Sequence, residues 1–414
     1  MIVLVALAIV IGFNYICESE ICFIIPQCIM AVITAIYIGK KAKEEKSERQ
    51  RVNEAFDYLE QVSFAFMRSG KIDAALRETY LLFKDGRMKE ALALTLDKLK
   101  THVADDDKSK IFTELEETYP INHVNKLHSY MLDAEKYGGH TRRAIFILKR
   151  EQYRSKERIL LYIENVRLKR KSVVMSCFAG MIVSLVMIAF APERQALTGN
   201  SIFKFSVLLY VIALCAIAIY AYKKTVGNYL IERRIYSDDE LLKKLKKYYH
   251  KEKFIGRRTL YKILSNEIRY AFTEWILSVA LLLETHNVEG AIRESASKAP
   301  VLLKPYISTF LKTLKKSPQD PSAYIDFLDE FAFPEVTSSM RLLYSLSIGT
   351  LDNIEDAIDH ILEQNDLYIL TVKKELEDKK MAGLSLLFMM PVVVTSFKLI
   401  ADMSVILLFF VSSL

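Results

Sequence analysis

Long apolar stretches alternate with highly charged ones along this chain, and this alternation restricts the possible folds more than any other feature. The apolar stretches are residues 1–16, 21–39, 172–191, 202–222 and 382–401, with a shorter one at 403–414. A helix rises about 1.5 Å per residue, so about 20 apolar residues cross a hydrocarbon core about 30 Å thick. Charged residues still form 26% of the chain, so they are concentrated between these stretches. The pattern predicts an all-α polytopic membrane protein with about five transmembrane helices.

The first two apolar stretches are separated only by residues 17–20, which predicts a tight hairpin. The first stretch is short and could instead lie partly in the membrane interface. A cleaved signal peptide is disfavoured because no Lys or Arg precedes the apolar run. Cys17 and Cys22 flank the outer turn of this hairpin, so a disulfide between them in an oxidising compartment stays open.

Basic residues next to the apolar stretches predict the orientation. All of the 57 Lys and Arg except Arg194, Lys204 and Lys398 fall within 40–171 and 223–380. Basic residues near membrane ends favour the cytoplasmic side, and every such cluster here requires the same side. We therefore expect a multi-pass protein of the cytoplasmic (inner) membrane, with both large charged segments in the cytoplasm and residues 192–201 outside.

Five domains follow from these boundaries. They are an N-terminal membrane hairpin (1–40), a first cytoplasmic helical module (41–171), a transmembrane hairpin (172–222), a basic linker with a second cytoplasmic helical module (223–380), and a C-terminal transmembrane helix with a short apolar tail (381–414).

Both cytoplasmic modules have the periodicity of amphipathic helices. Phe56, Leu59, Val62 and Phe66 recur at intervals of three and four residues, which is the spacing of one helical face. Ser69-Gly70 ends this run, a second helix is expected to start near residue 73, and Asp85-Gly86 is expected to end that helix.

The second module resembles the first at a constant offset of 216 residues. Ala55-Phe56 corresponds to Ala271-Phe272, and residues 72–78 correspond in character to 288–294 without a gap. Order, spacing and the exit of each module into a membrane helix favour an internal duplication. Small residues at these positions suit close helix packing, although they could equally reflect available space or helix propensity. The candidate packing residues are Phe56, Gly70, Ala75, Phe272, Gly290 and Ala291.

These motifs and their order resemble the type II secretion system F family, the inner-membrane platform proteins of type II secretion systems and type IV pili. The resemblance lies in the apolar run 272–283, the polar turn and Ala-bearing helix of 284–292, and the later turns at Pro318 and Phe333-Pro334. The first module matches through 56–76, with residues 68–71 as its turn. The extra N-terminal hairpin is closer to the tight-adherence (Tad) pilus branch or an archaeal-type platform.

Catalytic and cofactor motifs are missing from the sequence. There is no phosphate-binding G-x-x-x-x-G-K-[ST] loop, no G-x-S-x-G and no H-E-x-x-H, and the soluble modules contain no Cys. We therefore expect no enzymatic activity, no cofactor and no metal site. Lys398 and Asp402 lie within the last apolar stretch. They could line a pathway, but their place near its end favours snorkelling to the outer interface.

A basic stretch after the fourth apolar block is the main candidate functional surface. Residues 223–262 contain 13 Lys or Arg, interspersed with apolar and aromatic residues. Such a stretch suits anionic lipid headgroups or an acidic partner protein, and a purely solvated face remains an alternative. Nucleic acid is disfavoured because no binding motif accompanies the charge. The candidate contact residues are Arg233, Arg234, Lys243, Lys244, Lys246, Lys247, Arg257 and Arg258.

The resemblance implies a non-enzymatic assembly platform. It would dock a cytoplasmic secretion or pilus ATPase, gather pilin or pseudopilin subunits at its membrane helices, and associate with further platform subunits as a homo- or hetero-oligomer. The alternative from another class is a membrane signalling or transport protein whose helical modules are sensors. An unrecognised membrane enzyme is a third option without a supporting cluster of carboxylates or histidines.

Overall fold

A computed structural model describes residues 2–101, 110–138, 141–191, 194–227, 229, 236–250, 256–283, 286–317, 320–349 and 354–413. Within these ranges the chain is helical and contains no β-strand, as the sequence predicts. The chain divides into two compact units. Unit 1 contains residues 1–53, 155–229 and 377–414, and unit 2 contains residues 54–154 and 230–376.

Unit 1 is built from apolar helices or from the apolar parts of longer helices. These helices are α1 (Ile2–Ile16), α2 (Ile21–Ser69), α7 (Thr141–Ala189), α8 (Arg194–Gly199), α9 (Ser201–Thr225) and α16 (Ile354–Ser413). Four of them, α2, α7, α9 and α16, are long and apolar enough to cross a membrane, and the shorter α1 is apolar as well. The chain is therefore a membrane protein by the length and composition of its helices.

The N-terminal hairpin has the form that the sequence predicts. Only four residues separate α1 from α2, and the two helices pack together in one apolar cluster through Val10, Phe13 and Ala31. The Asn14 side chain donates a 2.8 Å hydrogen bond to Gln27 Oε1 across the hairpin, and both residues are fully buried. Cys17 is buried and Cys22 exposed, and both are free thiols, so the disulfide between them is not formed.

Three helices continue well beyond the apolar stretches in which they begin or end. Helices α2 and α7 each have 49 residues, and α16 has 60. Two of the boundaries between the compact units, 53/54 and 154/155, therefore fall inside α2 and α7. The predicted boundaries 40/41 and 171/172 separate apolar from charged sequence, which is a different division of the same helices. The predicted C-terminal tail 403–414 is, through Ser413, a continuation of α16.

Unit 2 contains the amphipathic helices. Those between α2 and α7 are α3 (Ile72–Leu82), α4 (Arg87–Thr101), α5 (Thr113–Thr118) and α6 (Asn122–Tyr137). Those between α9 and α16 are α10 (Asp238–His250), α11 (Arg257–Leu282), α12 (Val288–Lys298), α13 (Lys304–Lys316), α14 (Ser322–Ile325) and α15 (Pro334–Ser347). The predicted helix breaks at 69–70 and 85–86 are confirmed.

The two segments of unit 2, 54–154 (the N-terminal module) and 230–376 (the C-terminal module), belong to one compact unit. Lys298 Nζ lies 2.8 Å from Asp133 Oδ2, and Arg143 Nη2 lies 3.2 Å from Asp359 Oδ2, so both pairs join the modules. The Asn122 side-chain amide also donates a hydrogen bond to Glu274. The two modules are thus neighbours within a single unit.

Two helices that lie 216 residues apart in the sequence, α3 and α12, bury an alanine at the same position. Helices α3 and α12 both have 11 residues and begin at 72 and 288, which is the offset of 216. Ala75 and Ala291 are fully buried at the fourth position of these helices, and Phe56 and Phe272 are buried in α2 and α11. Four of the six candidate packing residues therefore lie in the core of unit 2.

Gly70 and Gly290 do not have the packing role that the sequence analysis assigned to them. Gly70 is exposed, adopts φ +64° directly after α2, and has no atom within 4 Å of the place of a Cβ, so its role is to end the helix. At Gly290 a Cβ would lie 2.8 Å from Asn287 Oδ1, the oxygen that caps α12. The missing side chain of Gly290 leaves room for the cap of its own helix rather than for a neighbouring helix.

Candidate functional site

The described part of the basic stretch includes helix α10. Ser237 caps this helix: its Oγ accepts from Glu240 N at 3.3 Å, and Glu240 Oε2 accepts from Ser237 N at 3.2 Å. The helix begins with three acidic residues and is basic from residue 243 on, which is the order that the helix dipole favours. Leu241 and Leu245 are buried. The opposite face is therefore free to carry charge.

Lysines occupy the outer face of α10. Lys243, Lys246 and Lys247 are exposed, and the ammonium of the half-buried Lys244 lies 4.3 Å from the centroid of the Tyr236 ring. The structure also exposes Arg257 and Arg258 at the start of α11. The predicted contact residues Arg233 and Arg234 lie outside the described residues. Six of the eight predicted contact residues thus lie in α10 or at the start of α11, and all of them except the half-buried Lys244 are exposed.

Tyrosines join α10 to the neighbouring helices. The Arg257 guanidinium lies 5.1 Å from the centroid of Tyr248, and the Tyr249 and Tyr306 hydroxyl oxygens are 2.7 Å apart. Tyr249 and Tyr306 both donate to Glu330 Oε1, Tyr306 at 3.0 Å. Burial, and the neighbouring Glu330 carboxylate, raise the pKa of both tyrosine hydroxyls, so both remain protonated donors. These contacts place the C-terminal end of α10 beside the N-terminal end of α13.

Helix α13 adds a basic face that the sequence analysis missed. Its lysines, Lys304, Lys312, Lys315 and Lys316, are all exposed, and the helix contains no acidic residue. Ile307, Phe310 and Leu314 fill its buried side. The sequence of α13 contains the signal of a basic amphipathic helix, which is apolar residues at helical spacing with lysines between them. It was overlooked because no membrane segment adjoins α13 in the sequence.

Lys398 and Asp402 form a buried ion pair in unit 1, so the predicted snorkelling to the interface is wrong. Lys398 donates to Asp402, and the two residues are only 4% and 1% exposed. The Lys398 ammonium lies 4.3 Å from the centroid of the Phe203 ring, and Ser206 Oγ donates to Asp402 at 3.5 Å. Packing against α9, together with the continuation of α16 to Ser413, keeps both charges away from solvent.

Further polar contacts connect the first hairpin turn with α8 and the start of α9. Lys204 Nζ lies 2.6 Å from Glu20 Oε1, and Thr198 Oγ1 donates to Glu18 at 2.9 Å. Arg194 donates to the Ile16 carbonyl at 3.0 Å. The turn between α1 and α2 and helix α8 therefore lie at the same end of unit 1, as the predicted topology requires.

A second polar cluster of unit 1 joins α2, α7 and α9, next to the apolar stretch of each helix. The Arg170 guanidinium pairs with Glu45, donates to Thr225 Oγ1 at 3.3 Å and lies 4.5 Å from the centroid of Tyr222. Arg170 is only 4% exposed. Since a buried charge without its partner is costly, this cluster holds α2, α7 and α9 in one arrangement.

The N-terminal module contains a buried polar network of its own. His128 Nε2 lies 2.7 Å from the Tyr58 hydroxyl, His128 Nδ1 lies 2.9 Å from Glu116 Oε1, and Phe112 stacks on the imidazole at 3.8 Å. Burial lowers the pKa of His128, although the Glu116 carboxylate opposes this effect. The neutral imidazole therefore serves as a packed hydrogen-bonding group.

Comparisons with known proteins return no relative: no family model, no curated protein and no solved structure matches the chain. The resemblance to the type II secretion system F family therefore stays a prediction from the sequence motifs. Among the described residues, no three His, Cys, Asp or Glu side chains are grouped so as to hold a metal ion. The basic face of α10, the basic face of α13 and the buried Lys398–Asp402 pair are the candidate functional sites.

Proposed function

We propose that this chain is a non-enzymatic platform in the cytoplasmic membrane that couples a cytoplasmic ATPase to pilin or pseudopilin subunits of a type IV-like pilus or a type II-like secretion machine. The observation that carries the proposal is the continuity of α2, α7 and α16, which run without a break from apolar stretches into amphipathic, charged ones. An unbroken helix can pass a displacement along its length. Motion that a partner imposes on unit 2 would then reach the membrane helices without chemistry in this chain.

We further propose that the two modules of unit 2 arose by duplication and lie in the cytoplasm. Helices α3 and α12 support the duplication. The ion pairs Asp73–Arg77 and Glu289–Arg293 also support it, because they recur at the offset of 216. Arg143 also pairs with Asp359, and this ion pair joins the two modules. The basic clusters at the membrane ends support the orientation.

ATP turnover is the first test of the platform proposal. The purified chain should neither bind nor hydrolyse ATP, because it contains no phosphate-binding loop. Nucleotide binding can be measured by calorimetry and turnover by phosphate release. Turnover that persists after contaminating ATPases have been removed would defeat the proposal.

Capture of the ATPase is the second test. The purified chain in detergent should capture the secretion-type ATPase of the same organism at low salt and lose it at high salt, since exposed charges are screened. Reversing Lys243, Lys244, Lys246 and Lys247 to Glu should weaken either this capture or the binding of anionic vesicles. Loss of capture assigns α10 to the ATPase, and unchanged capture with weaker vesicle binding assigns α10 to lipid.

Transport is the second candidate function, and the buried Lys398–Asp402 pair favours it. Ionisable groups inside a membrane bundle commonly mark ion or proton pathways. Proteoliposomes loaded with a pH-sensitive dye would detect such a pathway. The platform proposal predicts no flux. A proton flux that Asp402→Asn abolishes would favour transport instead.

A further inference from the structure

Helix α16 contains a proline within its apolar span, Leu386–Phe409. Pro391 has no N–H, so the Leu387 carbonyl one turn earlier lacks the helical hydrogen bond that it would otherwise accept. Sharp bends in helices are found mainly at such prolines. Pro391 is therefore the position at which α16 bends most easily, although the helix continues through it to Ser413.

After Pro391, polar contacts hold α16 against α9. The Thr395 hydroxyl donates to the Pro391 carbonyl at 2.7 Å, and the Tyr210 hydroxyl lies 3.1 Å from the Thr395 oxygen. Further along α16, Ser206 Oγ donates to Asp402 at 3.5 Å. The contact in α9 moves back from Tyr210 to Ser206 as α16 advances, which is the order of an antiparallel pair. These contacts set the position of α16 along α9, because a hydrogen bond needs its partner at a defined distance.

Helix α7 meets the same crossing at Gly180. A Cβ at Gly180 would collide with Thr395 Oγ1 and would lie 3.0 Å from the Tyr210 hydroxyl. The ion pair of Lys398 and Asp402 follows in the next turns of α16. Sliding α16 by one turn, about 5.4 Å, would separate these partners and leave polar groups unpaired in an apolar interior. The part of α16 after Pro391 is therefore fixed in place along its neighbours.

Before Pro391, the contacts of α16 are apolar. Residues 386–390 are Leu, Leu, Phe, Met and Met, so they have no polar side chain. Leu387 is buried in a small cluster with Val173 of α7 and with Ile217 and Ala221 of α9. Apolar contacts have no preferred direction, and methionine adapts its shape to its surroundings. This part of α16 can therefore tilt while it stays in contact with α7 and α9.

We propose that α16 is hinged at Pro391, so that the part after Pro391 stays fixed on α7 and α9 while the part before it tilts. The hinge itself rests on contacts within unit 1. Its use rests on the proposed function: motion imposed on unit 2 would reach the membrane as a tilt of α16 before Pro391 rather than as a slide of the whole helix.

Distances between spin labels test the hinge in the purified full chain in lipid nanodiscs, with no partner present. All five native cysteines are replaced by Ala, and two labels are attached at introduced cysteines for pulsed EPR. The inner pair, Leu386 with Ile36, reports on the part of α16 before Pro391. The outer pair, Ile400 with Ile25, reports on the part after it. All four positions are exposed, and both pairs use α2 as the reference, so a movement of α2 alone would broaden both.

We expect the inner pair to give a distance distribution about twice as wide as the outer pair. A tilt of about 20° at Pro391 displaces Leu386 by about 2–3 Å, whereas Ile400 stays in place. The variant Pro391→Ala restores the N–H and should narrow the inner pair to the width of the outer pair. The control Val392→Ala, at an exposed position beside the proline, should leave both widths unchanged.

The fixed part has a test of its own. Thr395→Val removes the hydroxyl that faces Tyr210 and keeps the shape of the side chain. It should widen the outer pair, because the position of α16 along α9 is then held by fewer polar contacts. An unchanged outer pair would contradict the role given to Thr395.

Three results overturn the hinge. They are equal widths for the two pairs in the parent chain, an inner pair that Pro391→Ala leaves wide, and an inner pair that Val392→Ala narrows as much as Pro391→Ala does. Each of them leaves the platform proposal standing, because no ATPase or pilin enters the measurement. Failure of the chain to capture the ATPase would contradict the platform proposal and would leave the hinge standing.

Discussion

The two modules of unit 2 place similar helices around different interiors and different surfaces. The interior of the N-terminal module includes the polar group of His128, Tyr58 and Glu116. The C-terminal module is filled with aromatic rings, and the Trp275 centroid lies 5.9 Å from Phe272 and 5.4 Å from Phe327. On the surface, α4 pairs lysines with carboxylates, whereas α13 has no acidic residue. The two modules thus differ in the chemistry of their cores and in their exposed charge.

Overpacking at the equivalent alanines gives the largest expected effect and tests whether the modules share one core. Ala291→Leu should destabilise the C-terminal module by about 1–3 kcal/mol, because Ala291 is fully buried. Ala75→Leu should cost a similar amount in the N-terminal module. Denaturant unfolding followed by Trp275 fluorescence reports on the C-terminal module.

The response of Trp275 to Ala75→Leu decides between one cooperative unit and two independent modules. Because the modules share a compact unit, we expect both substitutions to lower the midpoint of the Trp275 transition. Ala74→Leu and Ser297→Leu are the controls, since both positions are exposed. A Trp275 midpoint that responds to Ala291→Leu alone would separate the modules energetically.

His128 predicts that the stability of unit 2 depends on pH. Its pKa is lowered in the folded state, so the unfolded chain binds a proton more readily below its ordinary pKa of about 6.5. Stability is therefore complete above that pH and is lost as pH falls toward the folded pKa, by at most about 1.4 kcal/mol per pH unit. Denaturation midpoints from about pH 7.5 to about pH 5.5 measure this slope.

The variant His128→Gln is the control for that slope. It should be less stable at neutral pH, because Tyr58 and Glu116 lose their shared partner, but its stability should change less with pH. An equally steep pH dependence in the variant would assign the effect to another group.

The recurring surface ion pairs give the smallest expected effect. Arg77→Gln and Arg293→Gln remove exposed i, i+4 pairs with Asp73 and Glu289. Exposed pairs contribute little because water screens them. Both variants should unfold with the wild-type midpoint, and a clear shift in only one of them would mark a surface where the modules differ.

Sequence reasoning recovered the helical class, the apolar segments and the first helix breaks, because each depends on local periodicity. A run of about 20 apolar residues predicts a span wherever it packs. The same reasoning gave Gly70 and Gly290 packing roles that they do not have, since a glycine's neighbours depend on its turn or cap. It also missed the basic face of α13, which no membrane segment adjoins in the sequence.

The order of helices, their apolar faces and the excess of positive charge were determined by the sequence alone. Whether two charges within an apolar helix reach solvent or pair with each other was decided by the neighbouring helix, as at Lys398 and Asp402 beside Phe203 and Ser206. The assembly of two distant segments into one unit was likewise decided by tertiary contacts such as Lys298–Asp133 and Arg143–Asp359. Periodicity describes each helix by its own faces, whereas burial and pairing depend on which helix covers each face.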